Sequence, residues 1–66
     1  MKRGDLIRHL RNHGCEFVRE GRRHSIWTNP DTNEIEEVPR HTEIRNHVAR
    51  KICRKLSIPI IGRENR

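Results

Sequence analysis

Cys15-Glu16-Phe17-Val18-Arg19-Glu20-Gly21-Arg22-Arg23-His24-Ser25-Ile26-Trp27-Thr28-Asn29-Pro30-Asp31-Thr32-Asn33-Glu34-Ile35-Glu36-Glu37-Val38-Pro39 is the stretch that decides the fold. Phe17 and Val18 are strand formers set among charges, which predicts a strand over 15–20. Gly21-Arg22-Arg23 breaks it as a loop. His24 to Asn29 is rich in β-branched and aromatic types and predicts a second strand. Along it His24, Ile26 and Thr28 point one way, and Ser25, Trp27 and Asn29 the other. Asn29-Pro30-Asp31-Thr32-Asn33 is a dense turn signal, because Pro presets φ and Asn and Asp close turns with their own side chains. Residues 34–38 give a third strand with Ile35 and Val38, ended by Pro39. Three strands joined by short loops make an antiparallel meander.

Both flanks read as helices. Upstream, Leu6, Ile7 and Leu10 share a face over residues 3–13 among polar neighbours, and Gly14 follows where a left-handed cap is expected. Downstream, Ile44, Val48, Ile52 and Leu56 recur every four residues, which predicts a helix over 42–56 started by Thr42 or His41. The order is α-β-β-β-α, an α+β domain of two layers: a three-stranded antiparallel sheet packed against two helices. The expected core is Leu6, Leu10, Phe17 or Val18, Ile26, Val38, Ile44, Val48, Ile52 and Leu56. Residues 1–58 are read as one domain and 59–66 as a C-terminal tail, frayed over 62–66.

Composition narrows the classes. The chain has 66 residues, too few for a multi-domain enzyme with a buried cofactor cleft. Its apolar runs are far shorter than the about 20 residues a spanning helix needs. No apolar stretch follows Lys2-Arg3, so no signal peptide is expected. Cys15 and Cys53 are read as free thiols, which fits a reducing cytoplasm. Fifteen Lys and Arg against nine Asp and Glu give a net charge of +6. Both ends are basic and the middle is mildly acidic. Such a chain attracts phosphate backbones or acidic protein surfaces.

Several side chains can carry chemistry. His24 follows Arg22 and Arg23. An imidazole can take the proton of a ribose 2′-OH, and guanidinium groups can hold the adjacent phosphate. That reaction needs no metal and no cofactor. From composition alone, a surface histidine at a hairpin edge is the stronger reading. His9 and His13 stand four apart on the first helix with Cys15 close by, a spacing that can supply metal ligands. No fourth ligand and no CxxC accompany them, so exposed histidines on a polar face are the better account and no metal is expected. Arg40 and His41 precede the second helix, where His41 can anchor a phosphate or cap the helix. Trp27 can stack on a base or cover the sheet edge. Arg50, Lys51, Arg54 and Lys55 can track a phosphate backbone or form a solvated face.

Taken in order, Met1-Lys2-Arg3-Gly4-Asp5-Leu6-Ile7, Leu10, Gly14-Cys15-Glu16-Phe17-Val18-Arg19-Glu20-Gly21, His24-Ser25-Ile26-Trp27 and Val38-Pro39-Arg40-His41-Thr42-Glu43-Ile44 resemble the HicA toxins of bacterial toxin–antitoxin pairs. The resemblance covers about residues 2–58. It implies a fold like the double-stranded-RNA-binding domain. It also implies an mRNA endonuclease that stops translation, with one catalytic histidine after a Gly-containing loop. By position that histidine is His24, which reverses the reading from composition. It further implies a HicB-type antitoxin that binds the toxin and covers this histidine. The chain departs from the pattern just before His24. The family usually has Gly then Ser or Asn there; this chain has Arg22 and Arg23, with a Gly kept at Gly21.

The sequence thus points to a metal-independent RNase toxin. His24 is the base, Arg22, Arg23, Arg50, Lys51 and Arg54 are the RNA contacts, and Arg40 and His41 are accessory. A non-catalytic RNA-binding module and a protein that only holds an acidic partner are the rivals.

Overall fold

The structure, a computed structural model, describes residues 1–62. Beyond Gly62, the expected frayed end lies outside the described residues. The elements are α1 (Arg3–Asn12), β1 (Glu16–Glu20), β2 (His24–Asn29), β3 (Glu34–Pro39) and α2 (Asn46–Lys55). The sheet is antiparallel with β2 in the centre. This is the expected α+β order. Buried side chains of both helices and of the inner sheet face form one cluster around Leu6, Leu10, Trp27, Val38, Ile52 and Leu56.

Local signals explain the chain reversals. Gly14 has φ +86°, the left-handed conformation a helix end favours in glycine. There the Gly14 N–H donates to the Arg11 carbonyl at 3.0 Å and the Cys15 N–H to the Leu10 carbonyl at 2.9 Å. The end of α2 repeats this geometry with Ser57 at φ +56°, and the Ile58 N–H reaches the Cys53 carbonyl at 3.0 Å. In both caps the residue after the left-handed one, Cys15 or Ile58, is buried. The β2–β3 turn closes as its sequence predicts: the Asn29 side chain accepts from the Asp31 N–H at 3.0 Å, and Asn33 takes φ +62°.

Three expectations need correction. The first concerns β2. Its inward face is Ser25, Trp27 and Asn29, all buried, whereas Ile26 lies half-buried on the outer face. Trp27 has the larger apolar surface to remove from water. The polar neighbours that go in with it are satisfied: Ser25 donates to Glu20 and Asn29 to the Leu56 carbonyl at 2.7 Å. Burying polar groups with partners costs little. The second concerns β1, which supplies no fully buried side chain. Phe17 and Val18 are 44% and 48% exposed. β1 is an edge strand, and its register with β2 shifts between Phe17 and Arg19, so Val18 has no partner opposite. Phe17 only covers the rim of Trp27, edge-on with ring centroids 5.9 Å apart.

The third concerns α2, which begins at Asn46 rather than 42. Residues 42–44 pair with the chain start instead. The Arg3 N–H donates to the Thr42 carbonyl and the Ile44 N–H to the Met1 carbonyl, both at 2.8 Å, and Lys2 bridges Glu43. Backbone groups bonded sideways cannot close a helical turn. Ile44 is still buried, as its spacing predicts, but ahead of the helix. Neither His41 nor Thr42 caps it.

Candidate functional site

The end of the sheet where β2 starts gathers the chemistry. Glu20 closes β1, residues 21–23 turn the chain, and His24 opens β2. The turn is tight: the Gly21 N–H donates to the His24 carbonyl at 2.7 Å. A Cβ at position 21 would stand 2.9 Å from that carbonyl oxygen and 3.3 Å from the Ile26 side chain. Only glycine fits without a shift. Arg22 and Arg23 are exposed, and neither takes a positive φ. The two arginines are therefore accommodated by ordinary backbone.

The loop is held from one side by Arg40. Its guanidinium donates to the Glu20 carboxylate at 2.6 Å, to the Gly21 carbonyl at 3.1 Å and to the Arg22 carbonyl at 3.0 Å. Below, the Ser25 hydroxyl donates to Glu20 at 2.9 Å and accepts from Arg3 at 2.9 Å, while Arg3 also donates to the Pro39 carbonyl at 2.7 Å. The Arg40 hydrogen bond, then the Ser25 hydroxyl and the charges of Arg40 and Arg3, hold the Glu20 carboxyl below its ordinary value. Arginine suits this role because one planar fork can reach a carboxylate and two carbonyls together.

His24 projects on the outer sheet face and is 40% exposed. Its Nδ1 lies 3.7 Å from Oε1 of Glu37. Glu37 pairs opposite Ile26, so it stands diagonal to His24 on the same face of the sheet. The arrangement joins an accessible imidazole, a carboxylate beside one of its ring nitrogens and two exposed guanidinium groups on a braced loop. It can hold an anion and move a proton.

The other sequence candidates fall elsewhere. His41 is exposed in the segment before α2. Lys51 reaches a groove of about 510 Å³ on the outer face, lined also by Ile26, Val18 and Ile35. Arg50 and Arg54 do not line that groove. The α2 end lies at the opposite end of β2, since Leu56 is bonded to Asn29. Asn29 is about 16 Å along the strand from His24. Trp27 is 2% exposed under Arg11, whose guanidinium sits 5.1 Å from the ring centre, so it offers no face to a base. His9 is not an exposed histidine: it is 6% exposed and its Nε2 lies 2.7 Å from the Pro59 carbonyl. Among the described residues no group of three or more His, Cys, Asp or Glu is placed to hold a metal. Cys15 and Cys53 are both buried, and burial raises the Cys15 thiol above its ordinary value. No described helix is long and apolar enough to cross a membrane.

Sequence reasoning missed Arg3, Glu20, Ser25 and Glu37. Glu37 was within reach once the β2–β3 turn was read, because the turn sets the register. Arg3 gave no signal, since its partner at Pro39 is 36 residues away.

No curated protein and no solved structure matches the chain. The family model described as HicA toxin of bacterial toxin-antitoxin matches residues 3–58. That span holds all five elements and the braced loop ahead of His24. The chain therefore belongs to the HicA toxin family, as the toxin component of a bacterial toxin–antitoxin pair whose partner is a cognate antitoxin.

Proposed function

We propose that the toxin is an endoribonuclease that cleaves mRNA in the cytoplasm, with His24 as its catalytic residue. The observation that carries this reading is the accessible His24 imidazole, set against Glu37 and beside Arg22 and Arg23 on a loop that Arg40 holds in place. With Nδ1 facing Glu37, Nε2 is the nitrogen that takes the proton of a ribose 2′-OH. The 2′-oxygen then bonds to the adjacent phosphorus, and the bond from phosphorus to the 5′-oxygen breaks. The departing 5′-oxygen takes up a proton, given back by His24, and the product carries a 2′,3′-cyclic phosphate. Arg22 and Arg23 hold the phosphate and offset the charge that grows on it. Glu37, 3.7 Å from Nδ1, keeps the ring oriented. Lys51 stands in the outer-face groove with Ile26 and Glu37, where it can meet the strand. No step needs a metal or a cofactor.

The antitoxin, of HicB type, silences the toxin by covering His24. A half-exposed catalytic side chain on an open sheet face is simple to block by a docked protein.

The reading is tested by induced expression in bacteria. Wild type is expected to arrest growth with loss of intact mRNA, and His24→Ala to do neither, since a general base contributes about 100-fold or more to such a reaction. Equal arrest by folded His24→Ala would remove His24 from the mechanism.

A further inference from the structure

A second cationic feature opens beside the braced loop. Lys2, Arg3, Arg8 and Arg40 line a groove of about 600 Å³ between the start of α1 and the segment after β3. Asp5 and Glu43 line it as well, which leaves its side chains at a net +2. Arg3 and Arg40 are committed to the fold through Pro39, Ser25, Glu20 and the loop carbonyls. Lys2 and Arg8 are exposed. Arg8 meets Asp5 at 3.2 Å, but both are largely in water. Such a pair is worth about 1 kcal/mol or less, so a phosphate can displace the carboxylate. Lys2 stands just ahead of α1 and Arg8 lies about 9 Å further along the helix axis, which lets each meet a separate phosphate.

We propose that this groove seats the phosphate backbone of the RNA strand on one side of the bond cut at His24. The proposal rests on the reading of the toxin as an RNase. Two observations favour RNA over a protein occupant. No apolar side chain lines the groove, whereas protein interfaces carry an apolar core. The groove is also continuous with the catalytic loop through Arg40, whose other bonds hold the carbonyls of Gly21 and Arg22. Arg40 thus borders both the groove and the loop that precedes His24.

The test measures binding of a short single-stranded RNA by fluorescence anisotropy over a salt series, in a His24→Ala parent that cannot cut it. Lys2→Gln with Arg8→Gln is expected to weaken binding and flatten the plot of log affinity against log salt. The slope should fall by roughly 1.4, at about 0.7 for each lost phosphate contact on a single strand. Both positions are exposed, and an unchanged melting curve confirms the fold. Arg22→Gln with Arg23→Gln reports the loop separately. If the loop pair lowers the slope and the groove pair does not, the groove proposal is overturned while the RNase reading stands. A parent that binds no RNA overturns both. Unchanged RNA binding with weakened capture of the cognate antitoxin assigns the groove to protein and overturns the proposal.

Discussion

At the residue scale, the proposed chemistry depends on how firmly one loop is held, and Gly21 shows how little room that loop has. A methyl group added there meets the His24 carbonyl oxygen at 2.9 Å. Relieving that contact breaks the tight turn and displaces the histidine. Gly21→Ala is expected to lower stability by about 1–3 kcal/mol in urea unfolding and to lower cleavage as well. An unchanged unfolding midpoint would mean that the loop yields freely. Glu20 offers a test by pH. Its carboxyl is held below the ordinary value of 4.5, chiefly by Arg40. A depressed folded-state value means that the carboxylate stabilises the fold above the unfolded value, and that this contribution is lost as pH falls through the folded one. The stability difference between wild type and Glu20→Gln should therefore be constant near neutral pH. It should shrink on acidification below about pH 4.5. A difference that does not change with pH would show that Glu20 contributes no charge to the brace.

At the element scale, the sequence was most legible where a local rule had no competitor. Gly14 and the Asn29 to Asn33 turn behave as their residue types dictate. The faces of β2 were misread because Ile26 and Trp27 are both apolar and alternate. Periodicity alone cannot choose between them; the burial of Trp27 decides, with Ser25 and Asn29 supplied with partners by Glu20 and Leu56. The start of α2 was misread for a different reason. Ile44 keeps helical spacing, yet its N–H is taken by Met1, a partner no local pattern reveals. Asn29 ties two elements together, since its amide joins the end of β2 to the end of α2. Asn29→Ala is expected to cost about 1–3 kcal/mol by thermal or urea unfolding, because it strands the Leu56 carbonyl and opens the turn. A loss well under that would mean water replaces the bond.

At the scale of the whole molecule, charge and topology act together. The meander brings the β1 end, the β2 start and the β3 end to one edge, and the pairing of 42–44 with the chain start adds Lys2 and Arg3. Arg22, Arg23, Arg40 and Arg3 thus gather at the end of the sheet where β2 starts. His24 stood out as the candidate because the order of the flanking motifs carries the family pattern, although the loop just before it departs from that pattern at Arg22 and Arg23. The brace around it was not, because every contact in it crosses between elements. The direct measurement is the digestion of a mixed mRNA transcript in EDTA, with the product ends identified by mass. Wild type is predicted to leave 2′,3′-cyclic phosphate ends, and His24→Ala to leave the transcript intact. Glu37→Gln is predicted to slow the reaction by no more than about fivefold, as befits an exposed pair worth about 1 kcal/mol or less. A transcript left whole by wild type, or cut equally by folded His24→Ala, would contradict the account.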